Sequence, residues 1–323
     1  MATSAPVLIA RRERAGQPAM VVYLLALAMG GALMLAVLAG SLLVLKATDN
    51  LPPPQFSNSL CVDEKLQAMR HAPPVAPNFL VVGSSVAWRH FNGAVATAET
   101  PSLRPYNAGF CGARISETYE ITQWLVGRLP SVRHVLLIAS PLDFESCSKD
   151  DPTQFSIADT DHYVFGGASA PRYYARYFDP VTLLGNARTV RQSRADVAAM
   201  DPLVQDRYGD APAEPTRSRG LFYGRVQPDP ACFAALRAIA TALDKRGIAF
   251  DMVMTPVHPE WDAKYGGPRF WGPFNQRIAA SMAGTQGHLR HVAYRPATDA
   301  WYDAVHVRWS ATPALTRAFL SAS

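Results

Sequence analysis

The sequence predicts an α/β chain: a three-layer α/β/α sandwich around a mostly parallel sheet, preceded by one N-terminal transmembrane helix. Three observations carry that expectation. Residues 20–45 hold no charged side chain. Short apolar runs of β-type composition alternate with helical spacings from Asn78 onward. The order strand, helix, strand, helix, strand is that of a parallel sheet with helices on both faces.

At 323 residues and 49% hydrophobic, the chain is long enough for one large domain plus an anchor. The net charge of +5 is modest and part of it lies in Arg11, Arg12 and Arg14, so there is no basic stripe for nucleic acid. The run from Met20 to Leu45 would be roughly 39 Å long as a helix, enough to cross a hydrocarbon core of about 30 Å. No small-residue cleavage site follows it, which argues for an uncleaved anchor over a signal peptide. Three arginines precede the run and Lys46 follows. The positive-inside rule then keeps residues 1–19 in the cytoplasm and exports the rest, into the periplasm if the membrane is a Gram-negative inner membrane.

The Pro-rich stretch within residues 46–59 reads as an extended, semi-rigid spacer, and residues 60–323 as the exported domain. Cys61 to Arg70 has helical spacing. Phe79 to Gly83 (FLVVG) is a buried strand that breaks at a glycine, followed by Ser84 and Ser85. Arg104 to Gly109 is a second strand, leading through a turn to a helix from Ile115 to Leu129. The third strand, His134 to Ala139, ends at Ser140, Pro141, Leu142 and Asp143. Residues 145–229 lack clear periodicity and read as an insertion or lid, with a helix at Pro180 to Met200. Its aromatics, Tyr223 among them, would either line a sugar or acyl groove or form a small core. The α/β rhythm resumes with a helix at Ala231 to Arg246, a strand at Ala249 to Met254, a helix at Phe274 to Ala283, a short strand at His291 to Tyr294 and a last stretch, Trp301 to Phe319, that closes as a helix.

Ser85 stands at the carboxyl end of a strand, where open α/β sheets bind ligands. Two readings are open: a nucleophile held on a tight turn, or a βα turn with a serine N-cap. Taken alone, the segment fits the second better. Asp303 and His306 are three residues apart, so they can share a face. The carboxylate could then fix the imidazole tautomer while Nε2 points into a cleft, although an isolated DxxH is common on surfaces. His258, at another strand end, either binds substrate or sits on a Pro-shaped loop. His90 reads as an exposed helix residue. The four cysteines lack metal-site spacing; Cys61 with Cys147 is the first choice for a disulfide, and four free thiols the alternative. No Walker loop, dinucleotide fingerprint or HExxH occurs, so neither cofactor nor metal is expected.

Together, GSS at the first strand end, the Asn107, Gly109, Gly112 turn, the third strand's polar ending and the late DxxH resemble the SGNH (GDSL-type) hydrolase and acyltransferase superfamily. The resemblance runs from about Asn78 to the end, with the insertion outside it, and implies a flavodoxin-like fold. It implies Ser85 as nucleophile with its N–H in the oxyanion hole, Gly112 as a second N–H donor, His306 as base and then acid, and Asp303 as its orienting partner. Asn107 and His258 would lie near substrate. Two departures stand out: GSS replaces GDS, and SPLD replaces GxND, putting Leu142 at the oxyanion asparagine. The hole would then rely on Ser85 and Gly112, with Ser140 lending its hydroxyl.

The chain looks most like the membrane-anchored, extracytoplasmic DltD-like and alginate-acetylation-like branch. That likeness implies an O-acyltransferase or esterase acting on an envelope polysaccharide or exopolysaccharide, partnered by a membrane-bound O-acyltransferase or a polysaccharide synthase. A non-catalytic scaffold or glycan-binding subunit of a polysaccharide secretion complex is the competing expectation.

Overall fold

A computed structural model describes residues 17–148, 154–195 and 205–322. The chain forms two compact units, Met1–Leu51 and Pro52–Ser323. In the first, helix α1 (Gln17–Ala47) contains a 28-residue stretch, Met20–Ala47, of mean hydropathy 2.5, long and apolar enough to cross a membrane. Helix extends beyond both ends of the predicted 20–45 run because Gln17 and Lys46 favour helix without being apolar. The arginines assigned to the cytoplasmic side, Arg11, Arg12 and Arg14, lie outside the described residues.

The second unit holds five parallel strands, β1 (Phe79–Gly83), β2 (Pro105–Gly109), β3 (His134–Ala139), β4 (Ala249–Met254) and β5 (His288–Arg290), in the order β2-β1-β3-β4-β5. That order reverses direction between β1 and β3, so a crevice opens at their carboxyl ends. Strand alternation sends Leu80 and Val82 to one face and Phe79 and Val81 to the other. The first face packs on α2 (Leu60–His71), α5 (Ile115–Arg128), α9 (Pro230–Asp244) and α11 (Pro268–Met282) through Leu66, Leu125, Leu236 and Ile278. The second packs on α3 (Ser85–His90), α4 (Gly93–Glu99) and α12 (Thr312–Ser321) through Ala87, Ala96 and Leu315. This is the expected three-layer sandwich.

Four local expectations are corrected. The last strand is at His288–Arg290, not 291–294. A charge sets its register: buried Asp251 on β4 takes Arg290 Nε at 2.9 Å, and its other oxygen lies 2.6 Å from His134 Nε2. Helix α11 begins six residues early because Pro268 follows Gly267, a pairing of cap and first turn that reads as loop in sequence. The Pro-rich stretch does not stand free from Pro52 onward. Pro52, Pro53 and Pro54 are buried, and Phe56 packs between Tyr163 and Tyr173 at ring separations of 4.7 and 5.0 Å. Its backbone is satisfied by Asp63, which accepts the Phe56 and Ser57 N–H groups. Finally, the disulfides are Cys61–Cys111 and Cys147–Cys232, not Cys61–Cys147. The first joins α2 to the turn after β2 and the second joins the β3 exit to α9, contacts that only the packed sheet creates.

Within the insertion the structure describes α6 (Ile157–Val164), α7 (Ala170–Arg176) and α8 (Pro180–Ala195). The predicted end of the last at Met200 lies outside the described residues. Tyr163 and Tyr173 form a small core there, whereas Phe222 and Tyr223 belong to the other end of the insertion.

Candidate active site

β1 ends at Gly83 with φ of +138°, and a Cβ there would lie 2.2 Å from the Ile138 carbonyl oxygen on β3, so only glycine fits. The chain then turns into α3. Ser84, not Ser85, is the N-cap, its Oγ accepting the Val86 N–H at 3.3 Å. The cap is thereby supplied by the first serine, and the hydroxyl of Ser85 in the first helical turn is left for another partner.

That partner is His306. Its Nε2 lies 2.8 Å from Ser85 Oγ, across 221 positions of sequence. Its Nδ1 lies 2.9 Å from Asp303 Oδ2 and 3.1 Å from Oδ1. Asp303 Oδ1 also accepts the Val305 and His306 N–H groups at 2.9 and 2.8 Å, so the loop folds around its own carboxylate. Burial alone would raise the Asp303 pKa. The hydrogen bond and charge of His306, with the two N–H groups, outweigh it and hold the carboxyl below its ordinary value. With Asp303 ionised, Nδ1 carries the proton and Nε2 is free to accept one from a hydroxyl.

His90 is buried, not exposed as expected. Its Nε2 accepts the Val307 N–H at 3.1 Å, which requires the proton on Nδ1, donated to Thr255 Oγ1 at 2.8 Å. Burial, reinforced by His306, pushes its pKa well down, so it stays neutral. It supports the residue next to His306 and ties that loop to the end of β4. The signal was missed because the burial of His90 depends on Thr255 and the 306–307 loop, which are distant in sequence.

Other candidates fall into place differently. Gly112 lies in the turn after β2, next to the bridged Cys111, with φ of +68°. Ser140 is 1% exposed and gives its N–H to Asp143 Oδ2 at 2.7 Å, so it sits sealed below the crevice rather than at its surface. Asp143 also receives the Ser84 hydroxyl, and burial lifts its carboxyl to about 7. Leu142 packs with Val86, Val257 and Trp261. His258 is half-buried; its N–H reaches the Ala304 carbonyl at 2.9 Å, while its Nδ1 caps α10 (Pro259–Tyr265).

Asn107 is corrected: it is fully buried and does not face a ligand. Its Nδ2 donates to the Ala87 carbonyl and to Asp210 Oδ1, and its Oδ1 accepts the Gly109 N–H. It belongs to a second buried cluster. There Lys65 Nζ donates at 2.7 Å to both the Asn107 and Gly209 carbonyls and stacks over Trp88, while Asp210 accepts the Gly93 N–H at 2.6 Å. Burial pushes Lys65 down and Asp210 up.

A residue the motifs did not mark is Tyr223. Its ring centroid lies 6.4 Å from that of His306, and it packs on the cluster containing Val86, the neighbour of Ser85. A cavity of about 770 Å³ opens beyond β4, lined by Thr255, Trp271, Asn275, Arg290 and Arg295 among others. Thr255 in its wall bonds the buried His90. Among the described residues, no group of three His, Cys, Asp or Glu side chains is placed to hold a metal.

No family model and no curated protein matches the chain. Among solved structures, a Streptococcus pneumonia protein provisionally described as a platelet activating factor aligns at 12% identity and a TM-score of 0.39. The alignment covers 90% of this chain and 97% of that one.

Proposed function

We propose that the chain is a membrane-anchored, extracytoplasmic serine O-acyltransferase or esterase acting on an envelope polysaccharide or exopolysaccharide through an acyl-Ser85 intermediate. One observation carries the reading: Ser85 Oγ, His306 and Asp303 form a continuous hydrogen-bonded chain at the carboxyl edge of the sheet. A base within 2.8 Å of a hydroxyl, itself oriented by a carboxylate, is the arrangement that activates a nucleophile. Ser85 attacks the acyl carbonyl carbon as His306 takes its proton. His306 then returns that proton to the departing alkoxide, leaving the ester on Ser85. A sugar hydroxyl or water repeats the sequence in reverse. The Ser85 N–H and the Gly112 N–H are the backbone donors assigned to the oxyanion.

The two disulfides fit an oxidising compartment, and α1 supplies a helix able to anchor the domain in an inner membrane, N-terminus inside. A membrane-bound O-acyltransferase or polysaccharide synthase would be the supplier of acyl groups or polymer. The decisive experiment is labelling of the full chain with a fluorophosphonate, together with turnover of an activated acetyl ester. The wild type should label and turn over, whereas Ser85→Ala should do neither, losing roughly a million-fold in kcat at unchanged Tm. Equal turnover by Ser85→Ala would refute the assignment. Leu142, an apolar side chain in a strand-end turn beside the crevice, favours the scaffold reading instead; a folded wild type that does not label would establish it.

A further inference from the structure

Acyl transfer places charge on a carbonyl oxygen, and a site that accelerates it needs donors fixed where that charge develops. Around Ser85 most polar side chains are already committed. Ser84 bonds Asp143, His90 spans Thr255 and Val307, and Asn107 is closed in with Asp210. Leu142 has nothing to donate. Tyr223 differs: no hydrogen bond from a described residue reaches its hydroxyl, although its ring is half-buried against the Val86 cluster.

Its segment is also held rigidly over the Asp303 loop. The Arg219 N–H and the Ser218 hydroxyl both bond the Tyr302 carbonyl, at 2.7 and 3.0 Å. Gly220 forms a bridge with Asp303 itself, and Trp261 Nε1 holds the Gly224 carbonyl at 3.0 Å. Tyr223 is thus pinned on both sides while its polar end stays uncommitted, which is how a preorganised donor is built. Burial and then the charge of Asp303 push its pKa above the ordinary phenol value against the opposing charge of Arg219, so the proton is retained.

We propose that the Tyr223 hydroxyl is a side-chain donor to the oxyanion formed on Ser85. When Ser85 Oγ bonds to the carbonyl carbon, its proton passes to His306 Nε2 and the C=O π pair moves onto oxygen. Tyr223 donates a hydrogen bond to that oxygen without giving up its proton. Collapse restores C=O and expels the alkoxide, which takes the proton from His306. Tyr223 is then a catalytic residue contributed by the insertion.

The inference rests on the acyl-Ser85 reading. Its test is Tyr223→Phe in the full chain, which keeps the ring and removes only the hydroxyl. With an activated acetyl ester, kcat should fall about 100- to 1,000-fold, KM should stay within a few-fold, and fluorophosphonate labelling should slow in parallel at unchanged Tm. A ring needed only for packing would leave all of these at wild-type values, and kcat within threefold of wild type overturns the assignment. The two failures are distinguishable. If Ser85→Ala abolishes turnover and Tyr223→Phe does not, only the donor role is lost; if Ser85→Ala is silent, the acyl-enzyme reading falls and this one with it.

Discussion

The Lys65–Asp210 cluster and the Ser85–His306–Asp303 chain are built from the same materials, a base and a carboxylate taken out of water, yet they are finished differently. In the first, Lys65 is spent on two backbone carbonyls and Asp210 on Gly93 and Asn107, with Trp88 closing the roof. In the second, every bond behind His306 is satisfied, but the chain ends on a hydroxyl whose carrier, Ser85, is only partly buried. A closed cluster holds α2, β2 and the 205–211 segment together; an open-ended one leaves a position for a reacting atom. Burial and perturbed acidity are common to both, so neither by itself marks chemistry. The free end does.

Substitutions can break that contrast, and the largest expected effect is on the open chain. Asp303→Asn should leave the domain folded but lower kcat for an activated ester by about 10,000-fold, because the amide favours the wrong imidazole tautomer. Steady-state kinetics with a thermal melt would check this, and a fall in Tm with kcat unchanged would put Asp303 in the structural class instead. Next, Lys65→Met should cost about 1–3 kcal/mol of stability for each of the two buried carbonyls, of Asn107 and Gly209, that it leaves without a donor. The urea midpoint should shift while kcat per folded molecule stays the same.

Thr255→Val removes the acceptor of a buried imidazole N–H and should cost about 1–3 kcal/mol. It should also lower kcat modestly, since His90 holds Val307 and so His306; a change in KM alone would argue against a link through that loop. A last effect, read as a slope against pH rather than as a single loss, concerns Asp143. Its carboxyl titrates at about 7 in the folded chain, well above the ordinary carboxylate value. Folding therefore retains a proton there, and stability falls as pH rises from about 4 towards 7. Asp143→Asn should flatten that limb by at most about 1.4 kcal/mol per pH unit, measured as urea stability at pH 5 and pH 8. Parallel curves for the two proteins would show that the buried carboxyl does not titrate there.

How far the sequence carried the reading depended on the range of the interaction concerned. The β1 run ending in Gly83, the Ser85 turn and the DxxH at Asp303 and His306 are local patterns, each complete within a few residues, and the first three strands, β4 and the helices between them follow from periodicity. The β5 register, by contrast, is set by Asp251 gripping Arg290 from the neighbouring strand. The exposure of His90 was misjudged because Thr255 and the 306–307 loop, the latter more than two hundred residues later, close over it. Asn107 carried a motif position but turned out to be a joint, since its neighbours Asp210 and Lys65 come from segments far from it in the chain.

By itself, then, the sequence determined what a periodic chain of this composition must do: bury alternating strands beneath amphipathic helices, and place one long apolar helix ahead of them. It also determined which side chains were chemically capable. Only the tertiary structure decided which serine caps the helix and which meets an imidazole, which cysteines pair, and that Tyr223 stands over the Asp303 loop. Propensity and periodicity act over a few residues, whereas these choices are made by parts far apart in the chain that meet only when the sheet closes its layers.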